Sequence, residues 1–171
     1  MIYVGIDNGV SGSVGTISDE THEVSWTPMP IKKCLNYTKS KRWINRVDVV
    51  KFKELLFNKI KKFLPASFST NCIVFIERPM VNPGRFQATM SALRCLEATL
   101  IVLEEMGLPY VYVDSKQWTK ALLPSGLKGS DELKKASLQV AKRLFPSLEC
   151  VKDGDSILIA EYARAQYVKK V

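Results

Sequence analysis

Four acidic residues lie where predicted buried segments end or where a helix is predicted to begin. Asp7 ends the first apolar run and is followed by a glycine-rich turn, and Glu77 ends a later apolar run. Asp153 and Asp155 stand at the start of the last predicted helix. Burying an ionised carboxylate beside a hydrophobic strand is costly unless a cation neutralises it. These acids are therefore candidates for binding metal ions, or a nucleotide phosphate with its Mg²⁺.

The chemistry that such acids support is hydrolysis of a phosphodiester. If the strands that end at Asp7 and Glu77 are neighbours, their carboxylates lie side by side and repel unless a cation or a shared proton intervenes. Mg²⁺ takes oxygen ligands and keeps several waters, so three or four carboxylates can hold two ions and leave room for a substrate. Two ions roughly 4 Å apart would stabilise both the attacking water and the leaving oxygen.

Each acid also has a purely structural interpretation. Asp7 and Asn8 are typical of an Asx-turn, in which the side chain bonds to local backbone. Glu77 has Arg78 beside it as an ion-pair partner, and the other two acids suit the positive end of a helix. The metal hypothesis gains weight because acids recur at the ends of two strands and at the start of the last helix.

The composition favours a nucleic-acid partner and argues against several enzyme classes. The 171 residues predict one domain, 1–171, with its own core. The chain has 25 Lys+Arg against 17 Asp+Glu, a net charge of +8, which is typical of proteins that bind polyanions, with simple solubility as the alternative. His22 is the only histidine, which argues against His-based metal nucleases and Ser-His-Asp hydrolases.

The cysteines and the hydropathy pattern predict an intracellular, soluble protein without a membrane partner. No apolar run is expected to reach membrane-spanning length, and no signal-peptide pattern is present. The cysteines match no metal-binding spacing and form no dense disulfide framework; they are Cys34, Cys72, Cys95 and Cys150. We expect the cytoplasm or nucleoid, including that of a phage-infected host, with an organelle left open.

The elements that must position the acids form a mixed α/β pattern. Three short strands come first, and later apolar runs alternate with helices. The predicted strands are 2–6, 13–18, 22–27, 72–76 and 110–113, and the predicted helices are about 52–63, 87–106, 115–121, 130–145 and 155–167. The expected sheet is an antiparallel three-strand meander joined to parallel strands by crossover helices.

The stretch 28–47 shows no clear hydrophobic period. Its basic and aromatic residues are Lys32, Lys33, Lys39, Lys41, Arg42, Arg46, Tyr37 and Trp43. Basic residues interleaved with aromatic ones suit contact with a DNA backbone, and Lys41 and Arg42 are candidates for it. A flexible, solvated loop is an equal alternative.

Four blocks together resemble one enzyme family. They are Gly-Ile-Asp-Asn-Gly at 5–9, Phe-Ile-Glu-Arg-Pro at 75–79, Asp-Ser-Lys-Gln-Trp-Thr-Lys at 114–120 and Asp-Ser-Ile-Leu-Ile-Ala-Glu-Tyr at 155–162. In order and spacing they resemble RuvC-type Holliday junction resolvases, and the third block is similar to the phage and plastid branches. The resemblance covers almost the whole chain. It implies a ribonuclease-H-like fold and a homodimer that resolves four-way DNA junctions by paired symmetric nicks, leaving 5′-phosphate ends.

The resemblance also implies that four acids hold Mg²⁺ or Mn²⁺, two ions per site, with Asp7 and Glu77 as metal ligands. Bacterial members carry two aspartates three residues apart on the last helix. Here Asp153 and Asp155 are two apart, which would separate them by roughly 160° on a regular helix. We therefore expect Asp155 to be the helical ligand, and Asp153 to reach the site only from the loop or the first turn.

Further roles follow from the same resemblance. The family has lysines near the scissile phosphate, where a positive charge stabilises the leaving oxygen. The candidates here are Lys120, Lys128 and Lys134, with surface solvation as the alternative. At the position of an aromatic wedge that opens base stacking the chain has Met80, with Phe86 as the second candidate. The helix 87–106 is the expected dimer helix, unless its apolar side only covers the sheet.

Two alternatives to junction resolution stay open. A nuclease of this fold could act on other branched DNA or on RNA, since selectivity lies in shape and in contacts to the sugar. A basic module of this fold could also bind structured nucleic acid without cutting it. The non-cleaving module would gain support if Asp153 and Asp155 could not both reach the site.

Overall fold

The structure is a computed structural model that describes residues 1–37, 39, 41–61, 71–148 and 152–168. Its strands are β1 (Ile2–Asp7), β2 (Ser13–Ser18), β3 (Val24–Pro28), β4 (Ile31–Leu35), β5 (Trp43–Val47), β6 (Cys72–Glu77) and β7 (Tyr110–Val113). Its helices are α1 (Val49–Lys61), α2 (Phe86–Glu105), α3 (Ser115–Leu122), α4 (Gly129–Leu144) and α5 (Asp155–Val168). The predicted strands and helices are confirmed, except that residues 62–63 lie outside the described part. The described cysteines are free thiols, and Cys150 also lies outside.

The main sheet has five strands in the order β3-β2-β1-β6-β7. β1 pairs antiparallel with β2, and β2 with β3. β1 pairs parallel with β6, and β6 with β7, with α1 and α2 in the crossover connections that parallel strands require. This arrangement confirms the predicted meander joined to parallel strands.

Alternate residues of the central strands enter two hydrophobic clusters on opposite faces of the sheet. In β1, Ile2, Val4 and Ile6 pack on the side of α1 and α2. Tyr3 packs on the side of α3, α4 and α5, and β6 alternates in the same way. Because successive side chains of a strand point to opposite faces, Asp7 shares the face of Tyr3 and is directed toward α5.

Glycines in the sheet allow α5 to lie directly against it. A Cβ atom on Gly15 would stand 2.7 Å from backbone atoms of Ser156 and Ile157. A Cβ atom on Gly5 would overlap the backbone of Ser156 and Ala160. Only residues without a side chain permit this approach, which fixes the first turn of α5 over β1 and β2.

The stretch between β3 and α1 is a β-hairpin, so the alternative of a flexible loop is wrong for residues 31–35 and 43–47. β4 and β5 pair antiparallel, with Leu35 opposite Trp43, and form a separate two-stranded sheet. Most of their side chains are exposed. Without a buried face, nothing imposes apolar alternation on a strand, which explains why the sequence shows no period here.

α2 presents an apolar side outward. Its buried residues are Thr89, Cys95, Thr99, Val102 and Leu103. Leu93 is 38% exposed and Ile101 50% exposed, so the alternative that this side only covers the sheet is wrong. Pro83–Glu105 contains a window of mean hydropathy 1.3, long and apolar enough by composition to cross a membrane, which corrects the expectation that no run reaches this length. Buried residues make up 22% of that window; Leu96, Ala98 and Leu100 pack against the core, whereas Leu93 and Ile101 lie on the exposed side.

Candidate metal centre

Two of the four acids meet at the carboxyl edge of the parallel strands. β1 and β6 pair with Ile6 opposite Ile76, so Asp7 and Glu77 are the next residues on adjacent strands and point to the same side of the sheet. The charge of the Glu77 carboxylate acts on Asp7 and raises the pKa of its carboxyl group. The side-by-side placement predicted from the sequence is present.

The other two acids come from the start of α5. This helix begins at Asp155, so Asp153 belongs to the preceding loop and the angular separation of a regular helix does not apply to it. One carboxylate oxygen from each of Asp7, Asp153 and Asp155 lies within 4.8 Å of the others. The charge of Asp155 also acts on Glu77, so the four acids form one cluster.

Burial and mutual repulsion raise the pKa of three of these carboxyl groups. Burial raises the pKa of Asp7 well above its ordinary value, and the charges of Glu77, Asp155 and Asp153 raise it further. Burial, with the charge of Asp155, raises the pKa of Glu77. Burial, with the charge of Asp153, raises the pKa of Asp155. Carboxylates in this arrangement favour a bound cation or bound protons.

A buried serine joins the two halves of the cluster, and sequence reasoning missed it. Ser13 is opposite Asp7 in the β1–β2 ladder and is fully buried. Its hydroxyl donates to Asp153 Oδ1 at 3.1 Å and lies 2.8 Å from the Ser156 hydroxyl. A polar residue at the start of an apolar strand, opposite Asp7 in the predicted meander, was the available signal.

Three further side chains from α3 and α4 support the acids. The Ser115 hydroxyl favours the ionised form of Glu77 and lowers its pKa. The Trp118 indole also lowers the pKa of Glu77, and its buried N–H has no partner of good hydrogen-bond geometry among the described residues. The Ser137 hydroxyl donates to the Lys134 carbonyl at 3.0 Å and also lowers the pKa of Asp155. The spacing of these three residues along the sequence does not predict their contact with the acids, because only tertiary packing brings α3 and α4 to the acids.

Two of the structural alternatives, the Asx-turn at Asp7 and Asn8 and the Glu77–Arg78 ion pair, are not formed in the described part of the chain, whereas Asp155 does lie in the first turn of α5. The Asn8 amide donates to the Ala92 carbonyl at 3.2 Å, which ties the turn to α2 rather than to its own backbone. Arg78 pairs with Asp114 (Nε–Oδ1 3.3 Å) instead of with the acid beside it. Its guanidinium also lies over the Tyr112 ring, 5.4 Å from the centroid.

Of the three candidate lysines, Lys134 is the one with a described interaction with the acids. Its positive charge lowers the pKa of Asp155. Lys120 lies in the last turn of α3, and Lys128 immediately precedes α4. No contact among the described residues links either of these two to the cluster.

The remaining candidates for substrate contact are exposed. Met80 is 81% exposed and lines a depression that reaches Glu77. Phe86 is 62% exposed at the start of α2. Lys41 and Arg42 are exposed immediately before β5.

The donor set fits a hard divalent cation. The four carboxylates offer only oxygen ligands, which suit Mg²⁺ and Mn²⁺, whereas thiolate and imidazole ligands suit other metals. None of the four forms an ion pair with a basic side chain in the part of the chain that the structure describes. A bound divalent cation would therefore neutralise their negative charge.

The five-stranded mixed sheet and its flanking helices form a ribonuclease-H-like fold of the RuvC type. The Thermus thermophilus RuvC structure has a TM-score of 0.56 and 16% identity over 97% of each chain. RuvC of the same organism, in complex with a Holliday junction substrate, has a TM-score of 0.56 and 15% identity over 96% of each chain. The yeast mitochondrial Holliday junction resolvase Ydc2 matches at a TM-score of 0.47 and 17% identity, over 92% of this chain and 75% of that one. No protein-family model matches the chain, and no curated protein matches its sequence significantly.

Proposed function

We propose that the protein is a structure-selective endodeoxyribonuclease that resolves four-way DNA junctions by paired symmetric nicks. The observation that carries the proposal is the convergence of Asp7, Glu77, Asp153 and Asp155 at one edge of a RuvC-type fold. One RuvC structure of this fold is a complex with a Holliday junction substrate. The net charge of +8 supports DNA as the partner, since a basic protein attracts a polyanion over long range. We place this activity inside a cell, in the single domain 1–171.

The four acids would hold Mg²⁺, with Mn²⁺ as a substitute and two ions per site. When bound, these ions supply stabilisation of negative charge on the attacking and leaving oxygens of a phosphodiester. Ser13 holds Asp153 toward the cluster by its hydrogen bond. Lys134, whose charge acts on Asp155, would stabilise charge on the leaving oxygen. The expected products carry a 5′-phosphate and a 3′-hydroxyl.

Exposed side chains around this site are assigned to the DNA arms. We propose that Met80 or Phe86 enters the junction crossover, where an apolar side chain can unstack bases. The proposed phosphate contacts are Lys41, Arg42, Lys120 and Lys128. Each lost phosphate contact should lower the salt dependence of binding by about one counterion.

The experiment that tests the activity is cleavage of a synthetic four-way junction by the full chain, with Mg²⁺ and with Mn²⁺. We expect two symmetric nicks that a ligase can seal, since each nick leaves a 5′-phosphate. Linear duplex of the same sequence is the control substrate and should stay uncut. Binding of the junction without cleavage in either metal would contradict the proposal and favour a non-cleaving binding module. That module is the weaker alternative, because Asp153 and Asp155 both lie in the cluster.

Substitution of the two C-terminal acids should separate their contributions. We expect Asp155→Asn to reduce the cleavage rate by roughly tenfold more than Asp153→Asn, about 1.4 kcal/mol of additional barrier. Asp155 is held by the first turn of α5, whereas Asp153 extends from a loop. Single-turnover cleavage rates of the two variants give the comparison, and a larger loss at Asp153 would contradict this order.

The outward side of α2 supports a homodimer as part of the proposal. Met90, Leu93 and Ile101 recur at helical spacing along it. Leu93 and Ile101 are exposed, and Met90 is half-buried. A dimer contact would cover this apolar side, and two copies would provide the two sites that paired nicks require.

Introducing charge on this side should dissociate the dimer. We expect the double variant Leu93→Glu, Ile101→Glu to weaken self-association by about 100-fold or more, because it removes two apolar side chains worth roughly 1.5 kcal/mol or more each. Sedimentation velocity over a concentration series measures the change. Val50→Glu, on the exposed side of α1 (64% exposed), is the matched control and should leave the mass unchanged. An unchanged mass for the double variant would exclude α2 as the dimer contact.

A further inference from the structure

The β4–β5 hairpin has the strongest local charge in the described chain. Its segment, residues 28–47, contains six basic residues and no acidic one. Trp43 is 67% exposed and Tyr37 80% exposed. A segment with this charge repels positive surfaces, so its exposed aromatic residues are suited to a polyanionic partner.

The pairing register places an aromatic ring, an amide and an ammonium group on one face of the hairpin. Trp43 and Asn45 are two residues apart in β5, and their partners in β4 are Leu35 and Lys33. Residues paired directly across a ladder share a face, as do residues two apart along a strand. Lys33, Trp43 and Asn45 line one surface depression. Trp43 and Asn45 are exposed, whereas Val47, the next residue on this face, is buried in the core at the base of the hairpin.

The hairpin is held beside the metal centre at both ends. Near its outer end, Arg94 of α2 donates to the Tyr37 hydroxyl at 2.9 Å and lies 5.2 Å from the centre of the ring. At its base, the Met29 N–H donates to the carbonyl of Gly12, in the turn that follows Asp7, at 2.9 Å. α2 is itself tied to that turn, since the Asn8 amide donates to the Ala92 carbonyl at 3.2 Å, so both ends of the hairpin connect to the turn that follows Asp7.

We propose that this face of the hairpin binds an unpaired stretch of a DNA strand next to the cleavage site. Trp43 stacks on a base, Asn45 bonds to a base edge, and Lys33 contacts a phosphate. Stacking on an exposed ring requires a base that has left the duplex, and it tolerates any sequence because every base has a π-face. The choice of DNA rests on the proposed function, whereas the choice of an unpaired strand rests on the ring, amide and charge of the hairpin.

Binding of single strands in the absence of divalent ions tests this inference separately from cleavage. The probe is labelled oligothymidylate of about 20 nucleotides, longer than the roughly 4–16 nucleotides that one such surface covers. We expect it to quench the intrinsic fluorescence of the full chain, since Trp43 is exposed while Trp26 is half-buried and Trp118 buried. Trp43→Ala should weaken binding by about fivefold or more and abolish the quenching. Trp43→Phe should retain most of the affinity.

Two lysine variants, one on the proposed face and one on α1, test the phosphate contact. Lys33→Ala should reduce the salt slope of single-strand binding by about 0.7, one phosphate contact. Lys51→Ala, which removes an exposed lysine of α1, should affect the slope less.

Unchanged affinity of Trp43→Ala for oligothymidylate would overturn the inference, as would tighter binding of oligouridylate than of oligothymidylate. Loss of the dimer in Trp43→Ala would also overturn it and identify the face as a contact between copies. Intact stacking with no junction cleavage in Mg²⁺ or Mn²⁺ would overturn the proposed nuclease function and leave this inference standing.

Discussion

Asp7→Asn is expected to reduce cleavage of a four-way junction by roughly a thousandfold or more. Asp7 is central to the acid cluster, since the charges of all three other acids act on it. The metal charge that these acids would hold is worth several kcal/mol of transition-state stabilisation, and each 1.36 kcal/mol corresponds to about tenfold in rate. Single-turnover cleavage in Mg²⁺ and in Mn²⁺ measures the loss.

The same substitution is expected to raise the Tm of the metal-free protein. The pKa of Asp7 is raised well above its ordinary value by burial and by neighbouring charges, while in the unfolded chain it is about 3.9. The folded state therefore binds the proton more tightly, and the stability contributed by this group is lost as pH rises from about 4 through the folded-state pKa. Asn does not titrate, so the Tm advantage of the variant should grow with pH over that window.

Metal binding should stabilise the wild type more than Asp7→Asn, the reverse of the difference expected without metal. Mg²⁺ or Mn²⁺ binds the folded state and should raise the Tm of the wild type, and the increase should be smaller for Asp7→Asn. Asp131→Asn, an exposed acid in the first turn of α4, is the matched control and should behave like the wild type. Cleavage by Asp7→Asn at the wild-type rate, or a metal-free Tm below that of the wild type at neutral pH, would remove Asp7 from the proposed site.

The central sheet and three of the acid positions were predictable because they follow from local pattern. Buried parallel strands are continuous apolar runs, and the carboxyl ends of neighbouring parallel strands meet at one edge, so Asp7 and Glu77 could be paired from the sequence. The position of Asp155 followed from the start of an apolar helix. Asp153 could be placed at the site only on the condition that it lies in the loop or the first turn, since its distance from the other acids depends on where α5 begins.

Other parts of the molecule depend on contacts that a sequence does not record. Ser115 and Ser137 act on Glu77 and Asp155 only because α3 and α4 pack on the same face of the sheet. Most side chains of the β4–β5 hairpin are exposed, so it carried no periodic signal. The outward side of α2 was predicted as an apolar stripe, but whether that stripe faced the sheet or solvent depended on tertiary packing.

Gly15→Ala is a substitution outside the acids with a large expected effect on both stability and cleavage. The Cβ would lie 2.7 Å from the Ile157 N atom and from the carbonyl group of Ser156, so the first turn of α5 must move away from β2. Overpacking of this kind destabilises a protein by about 1–3 kcal/mol, which for a chain of this size lowers Tm by roughly 2–10 °C. Thermal unfolding of the metal-free variant measures this change.

The displacement should affect cleavage beyond its effect on stability, because α5 begins at Asp155. A shift of about 1 Å in a positioned group can reduce a rate by roughly a hundredfold, so we expect slow cleavage even at temperatures where the variant is fully folded. Gly9→Ala is the matched control: its Cβ would have Gly12 N as its nearest neighbour at 3.8 Å, an ordinary van der Waals contact. Near-wild-type Tm and cleavage in Gly15→Ala would mean that α5 does not need this close approach to hold Asp155 in the cluster.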